Sequence, residues 1–96
     1  MLFIATCVDK PQSVETRLAN RPAHLDHLKS LGSKVKIGGA MLADDLQTPV
    51  GSMLIFEGES LKEIESILAQ DPYTLAGLFE SVTVKPYRQA VGQALA

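Results

Sequence analysis

The first hydrophobic run of this chain, Leu2 to Val8, is short, apolar and rich in β-branched residues. Asp9-Lys10-Pro11 ends it with turn-forming residues, so the pattern predicts a first strand. Both faces of this strand are apolar, and Thr6 is its only polar member. A strand of this kind needs apolar cover on both sides of its sheet.

A helix is predicted after the first strand. Ser13 can cap an initial helical stretch, and Pro22 suits the first position of a helix that ends at Gly32. The apolar stripe of this helix consists of Leu25, Leu28 and Leu31. At about 100° per residue, this stripe places His24 on its rim and His27 farther toward solvent.

Two further strands follow in the central part of the sequence. Lys34 to Leu42 begins with alternating polar and apolar residues, which predicts a strand. The alternation stops at Gly38-Gly39, as it does in a strand where another group approaches the backbone closely. A polar loop that contains Asp44, Asp45 and Pro49 separates it from the third strand, predicted from Ser52 to Glu57.

The second helix has the clearest start signal in the sequence. Ser60 and Glu63 form a capping box, and the apolar stripe behind it consists of Leu61, Ile64, Ile67 and Leu68. Asp71-Pro72 interrupts this helix, and Pro72 can open a short further helix through Leu78. Ser81 to Tyr87 alternates again and contains Pro86, which predicts an edge strand.

The order βαββαβ in a single short domain predicts an α+β, ferredoxin-like fold with a four-stranded antiparallel sheet. We expect the strands at 2–8 and 52–57 to be central and both helices to cover one face. The uncovered face of the first strand then requires a second subunit, so we expect a homodimer or higher homo-oligomer in a barrel-like α+β assembly. Residues 1–96 form one domain in this interpretation, with a tail at 88–96.

Composition narrows the class of protein further. Nine basic and eleven acidic residues are spread along the chain, giving a net charge of −2, which argues against nucleic-acid binding. A single cysteine, Cys7, excludes an internal disulfide and favours a cytoplasmic setting. The apolar start lacks a basic region before it, and no later run reaches the about 18 apolar residues of a membrane helix, so neither a signal peptide nor a membrane contact is expected.

Few residues are available for chemistry. The usual glycine-rich phosphate loops are missing, and His24 and His27 supply at most two metal ligands, so we expect no cofactor and no metal site. His24 is either a histidine bonded to a backbone carbonyl or a general acid or base at a pocket edge. Asp71 falls within the apolar stripe of the second helix, yet it is equally a helix cap before Pro72. The two side chains could meet as a His-Asp pair.

Several stretches resemble YCII-related proteins, in order and over nearly the whole chain. They are residues 17–25 (RLANRPAHL), Gly38-Gly39-Ala40, Gly51-Ser52, Asp71-Pro72-Tyr73 and residues 82–87 (VTVKPY). The resemblance implies a dimeric ferredoxin-like domain with an active-site histidine and aspartate, carried here onto His24 and Asp71. The substrate-binding candidates lie in the same stretches and are Arg21, Gly39, Ser52 and Tyr73.

Two functions from different classes stay open. The first is a small enzyme that uses His24 as base and Asp71 as its orienting partner on an aromatic or enolisable molecule, with Arg21 or Ser52 holding an anionic group. The resemblance associates the family with removal of chloride from a chlorinated hydroxyhydroquinone, although no residue selects that substrate. The second is a non-catalytic ligand-binding or accessory module in which the same pair fixes a dimer pocket.

Overall fold

A computed structural model describes residues 1–95 and confirms the predicted order of elements. The bounds are β1 Leu2–Asp9, α1 Val14–Ser30, β2 Val35–Leu42, β3 Pro49–Glu57, α2 Leu61–Ala69, α3 Pro72–Leu75 and β4 Phe79–Tyr87. A single 3₁₀ turn, Gly32–Lys34, joins α1 to β2. Residues 88–95 contain no helix or strand, and Ala96, the last residue of the predicted tail, lies outside the described residues.

The four strands form one antiparallel sheet in the order β2-β3-β1-β4. The two central strands are therefore those predicted, and β4, which carries Pro86, lies at an edge. The register pairs Phe3 with Phe56 and Ala5 with Leu54, so these four side chains share one face. The fold is α+β and ferredoxin-like, as expected.

The core lies between this face and the helices. Its buried members are Phe3, Ala5, Cys7, Leu54, Phe56, Ile64 and Leu68, with Leu28 and Leu31 of α1 packed against them. Both long helices therefore cover the same face of the sheet. On the opposite face the register aligns Ile4, Ile55 and Ile37 across three strands, and Ile37 is 39% exposed.

The helix α1 starts directly after Ser13, as predicted, but it has no new start at Pro22, and its orientation differs from the prediction. The helix begins at Val14 and runs through Pro22 without a break, and Ser13 makes no side-chain capping bond but donates its hydroxyl to the Pro11 carbonyl. A proline inside a helix removes one N–H donor and crowds the carbonyl four residues earlier, and Pro22 lies on the exposed side of the helix, where water can satisfy that carbonyl.

The buried stripe of α1 is also rotated from the predicted one. Leu25, predicted to face the core, is 42% exposed, while His24 is only 7% exposed and lies near the centre of the stripe. The predicted rim position of His24 is therefore wrong. His27, predicted to face solvent, is half-buried and bonds through Nε2 to the Ile67 carbonyl at 3.1 Å.

The helix α3 ends earlier than predicted because of Gly77. This glycine has a φ of +72°, and the Leu78 N–H donates to the Tyr73 carbonyl while the Gly77 N–H donates to Thr74. These two bonds are the Schellman pattern that ends helices at a left-handed residue. Leu78 is consequently a buried anchor just past the helix, rather than its last residue.

Candidate functional site

His24 on α1 and Asp71 before α3 form a direct hydrogen bond. Each carboxylate oxygen of Asp71 lies 2.9 Å from Nδ1 of His24. The side chains are 8% and 1% exposed, so water is nearly excluded from the pair. The predicted contact is confirmed, and it is more deeply buried than a rim position would allow.

Asp71 fills both of the roles considered for it. Its Oδ1 accepts the Tyr73 N–H at 2.9 Å, which makes it the N-cap of α3, with Pro72 in the first turn. Its own N–H donates to the Leu68 carbonyl at the end of α2. The carboxylate is thus fixed by the backbone at a helix junction, and the cap and the inward-pointing acid are one arrangement.

The hydrogen bonds of Asp71 also assign the tautomer of a neutral His24. Because the carboxylate accepts the Tyr73 N–H and acts as an acceptor toward the imidazole, Nδ1 of His24 carries the hydrogen. Nε2 then keeps its lone pair. A carboxylate behind an imidazole fixes the orientation and the tautomer of the ring, which is the arrangement found for a general base.

Tyr73 stacks against the imidazole. The two rings are 4.0 Å apart between centroids and inclined by 14°, and the edge of Tyr73 meets Phe79 at 5.9 Å. The Cζ atom of Arg17 lies 4.6 Å from the Tyr73 centroid, within the range of a cation–π contact. Burial raises the pKa of the Tyr73 hydroxyl, and the positive charges of Arg17 and Arg21 oppose that rise.

Arg17 and Asp9 form a second buried pair, which sequence reasoning missed. Arg17 Nε and Nη2 donate to the two oxygens of Asp9 at 2.7 and 2.9 Å, and Nη2 also donates to Ser52 Oγ at 2.9 Å. Burial lowers the pKa of the guanidinium, but the hydrogen bond and charge of Asp9 outweigh it, so the net shift is upward. Arg17 therefore stays charged.

A signal for Arg17 was present in the sequence. Arg17 lies seven residues before His24, and seven residues are close to two full helical turns, so both point to one side of a continuous helix. The predicted helix start at Pro22 separates the helical stretch that contains Arg17 from the helix that carries His24, so the sequence pattern does not relate the two side chains. The sequence pattern predicts a turn at Asp9, whereas the structure places this residue at the end of β1 with 8% exposure.

A cavity of about 150 Å³ brings the predicted site residues together. His24 and all four substrate-binding candidates, Arg21, Gly39, Ser52 and Tyr73, line it. Arg17, the segment Gly38–Ala40 of β2 and the two leucines Leu25 and Leu28 of α1 also line it, and Asp71 is bonded to His24 behind the wall. The cavity thus presents an imidazole, a hydroxyl, a phenol and an exposed guanidinium to one small volume.

The two histidines do not form a metal site. His24 bonds to Asp71, whereas His27 bonds to a backbone carbonyl on α2. Throughout the described part of the chain, no three histidine, cysteine, aspartate or glutamate side chains come together in a metal-binding group. No helix among residues 1–95 combines the length and the apolar character needed to cross a membrane.

Comparisons with known proteins agree with one another. The family model of the YCII-related domain matches residues 1–88. Protein YciI of Escherichia coli O6:H1 is 38% identical over 96 residues, which cover 93% of this chain and 98% of that protein. An uncharacterised protein of Haemophilus influenzae is 34% identical over the same shares.

The solved structures extend the comparison. The 5-chloro-2-hydroxyhydroquinone dehydrochlorinase TftG from Burkholderia phenoliruptrix AC1100, in complex with 2,5-dihydroxybenzoquinone, superposes with a TM-score of 0.86. It is 37% identical, with 94% of this chain and 96% of that chain covered. An antibiotic biosynthesis monooxygenase superposes with a TM-score of 0.55 at 15% identity, a likeness of fold alone.

Proposed function

The chain belongs to the YCII-related domain family, and we propose that it is a small-molecule enzyme that performs acid–base chemistry on an aromatic or enolisable substrate. The observation that carries the proposal is the buried His24–Asp71 bond at the wall of a cavity. The bond occupies Nδ1, so Nε2 is the ring nitrogen available to a ligand. The similar dehydrochlorinase TftG supports a substrate of the hydroxylated ring class.

In the proposed mechanism, Nε2 of His24 accepts a proton from an acidic O–H or C–H of the substrate. The imidazolium formed is stabilised by its hydrogen bond to the carboxylate of Asp71. The negative charge left on the substrate lies in the same cavity as the exposed guanidinium of Arg21. Return of the proton from His24 to another substrate atom completes the cycle, and no cofactor takes part.

Ligand screening followed by proton exchange tests this function. Small phenols, quinones and carboxylic acids are screened for an increase in melting temperature, since a ligand that binds only the folded state raises apparent stability. Binders are then incubated in D₂O, and NMR follows deuterium incorporation at their exchangeable carbon positions. We expect His24→Asn to slow the exchange by roughly 10²- to 10⁴-fold, the usual contribution of a general base.

Two further variants make the test specific. Asp71→Asn keeps a good helix cap but removes the carboxylate behind the imidazole, so it should slow exchange while the protein stays folded. His27→Asn is the matched control, because His27 lies on the same helix outside the cavity. Equal exchange rates in the wild type and in His24→Asn would refute the proposal that the protein is an enzyme.

A non-catalytic ligand-binding module is the alternative that one observation favours. His24 and Asp71 are both buried and hydrogen-bonded, so they can serve to hold the cavity wall in place without moving protons. If a ligand binds tightly but its carbon positions exchange deuterium no faster than the uncatalysed rate, the result would favour the binding module over the enzyme. In that case His24→Asn would weaken binding or lower the melting temperature, with no effect on chemistry.

We further propose that the protein works as a homodimer, because Ile4, Ile37 and Ile55 lie side by side on the sheet face that the helices leave uncovered. A second copy is the cover that matches such a face. Residence in the cytoplasm stays a prediction from the single cysteine.

A further inference from the structure

The hydroxyl oxygen of Ser52 has a defined hydrogen-bonding role, as an acceptor toward Arg17. Ser52 lies on β3, is 3% exposed and lines the cavity that His24 also lines. Arg17 Nη2 lies 2.9 Å from Ser52 Oγ, and a guanidinium can only donate hydrogen bonds. The serine oxygen is therefore the acceptor in this bond.

This bond leaves the serine proton free. A hydroxyl carries one O–H and two lone pairs, and Arg17 uses one of the lone pairs. Among the hydrogen bonds formed within residues 1–95, none uses the Ser52 hydroxyl as donor. The cavity is the space into which this proton can be donated.

Asp9 keeps Arg17 in place as the hydrogen-bond donor to Ser52. Its two oxygens hold Arg17 in a bidentate pair, a geometry that fixes the plane of the guanidinium as well as its position. The same pair raises the pKa of Arg17 in spite of burial, so the guanidinium does not lose a proton and become an acceptor. Asp9 and Arg17 together hold Ser52 as a donor.

We propose that Ser52 donates a hydrogen bond to a carbonyl or ionised oxygen of the ligand and that Arg17 is its positioning residue. With Nε2 of His24 as an acceptor, the same cavity of about 150 Å³ then places the Ser52 donor and a histidine acceptor against a single small molecule. The matching ligand carries a carbonyl oxygen next to a hydroxyl, as in hydroxyquinones and other α-hydroxycarbonyl compounds. This inference rests on the proposed function for the role of His24, whereas the donor role of Ser52 is tested by binding alone.

Isothermal titration calorimetry with two ring compounds tests the donor. The probes are 2,5-dihydroxybenzoquinone, which has carbonyl oxygens beside hydroxyls, and hydroquinone, which has hydroxyls only. The wild type should prefer the first, and Ser52→Ala should weaken its binding about 10-fold, as expected for one lost hydrogen bond to a charged or strongly polar oxygen. Hydroquinone binding should change less than about twofold.

A double-mutant cycle tests the positioning role of Arg17. Arg17→Lys keeps a positive charge beside Asp9 but loses the planar fork that reaches Ser52. It should weaken binding of 2,5-dihydroxybenzoquinone in the wild type and have little further effect in the Ser52→Ala background, because Arg17 acts through Ser52. A merely structural role would give equal losses in both backgrounds. If Arg17→Lys does not fold, the Ser52→Ala comparison decides.

Arg21→Gln is the control for simple charge attraction. Arg21 lines the same cavity and is exposed, so its contribution to binding should fall as salt is added, while the effect of Ser52→Ala should not. Three results would overturn the inference: no binding of 2,5-dihydroxybenzoquinone at millimolar concentration, a preference that survives Ser52→Ala, or equal Arg17→Lys losses in both backgrounds. Ser52-dependent binding without His24-dependent proton exchange would instead refute the proposed enzyme alone.

Discussion

Cys7 lies in the C-terminal half of β1, fully buried in the core near both polar pairs. Burial raises the pKa of its thiol to about 12, the negative charges of Asp71 and Asp9 add to the rise, and Arg17 opposes it. The thiolate, which is the reactive form, is therefore almost absent at neutral pH. Cys7 acts as a small apolar side chain in this fold.

This leads to a prediction about alkaline pH. A cysteine thiol in the unfolded chain has a pKa of 9.0, whereas the pKa of Cys7 in the fold is about 12, so the unfolded chain releases its proton first as the pH rises. The stability contribution is complete below about pH 9 and is lost between that pH and about 12. Urea unfolding across this range should show a shallower loss for Cys7→Ala than for the wild type.

Thiol labelling provides the independent check. Ellman's reagent at pH 8 should leave the folded protein unlabelled and label one thiol per chain in denaturant. Rapid labelling of the folded protein would contradict the burial of Cys7.

The buried ion pair predicts a second residue effect. Asp9→Asn removes the charge that compensates Arg17, and breaking a buried pair in this way costs about 3–5 kcal/mol. Asp26→Asn is the control, since Asp26 is exposed on the same helix that carries Arg17. The free energies of unfolding of both variants can be measured in urea, and similar values would mean that the Asp9–Arg17 pair contributes little.

At the scale of the elements, two residues of the site lie close to the point where one element ends and another begins. Asp71 lies between the end of α2 and the start of α3, and Arg17 lies one turn into α1, facing the end of β1. Asp71 is therefore held at a helix end, where unpaired backbone groups are available to fix a side chain, whereas His24 lies in the interior of α1.

Two glycines give a matched prediction at this scale. A Cβ built on Gly51 of β3 would overlap the Cys7 carbonyl and the end of Met41, whereas a Cβ on Gly39 of β2 would meet nothing within 4 Å. Gly51→Ala should thus force the central β1–β3 pair apart and lower stability by roughly 1–3 kcal/mol. Gly39→Ala should change it by less than about 0.5 kcal/mol. Thermal unfolding of the two variants compares them directly, and equal melting temperatures would argue against close approach at Gly51.

At the scale of the whole molecule, the sheet separates two surfaces with different uses. The helix side contains the core and the cavity, while the isoleucines of three strands align on the opposite side, where Ile37 is 39% exposed and Ile55 is buried. The proposed dimer would use the second surface and leave the first free for a ligand.

The assembly is tested by light scattering with size-exclusion chromatography at micromolar concentration. The wild type should have at least twice the mass of one chain, and Ile37→Lys should reduce it to a monomer, because an ammonium group would be buried in the interface. Leu75→Lys is the control: Leu75 is 75% exposed on α3, on the other side of the sheet. A monomeric wild type would refute the dimer.

Local signals in the sequence determined the elements and their order. The Ser60–Glu63 capping box, the short apolar run of β1 and the Asp71-Pro72 break each depend on a few neighbouring residues, so they are recognisable in the sequence without the fold. The stretch that resembles the YCII-related family also supplied His24 and Asp71 as candidates, along with the other residues that now line one cavity.

Tertiary contacts decided what lies at the centre of α1. Its sequence offers leucines and two histidines at several angles, and periodicity alone chose Leu25 for the core. In the fold, the carboxylates of Asp9 and Asp71, which lie far apart along the chain, pair with Arg17 and His24 and turn that side of the helix inward. These pairs span 8 and 47 residues, and no local propensity encodes the second. Burying a charged or polar group is favourable only when its partner is in place, and only the assembled sheet and helices bring those partners together.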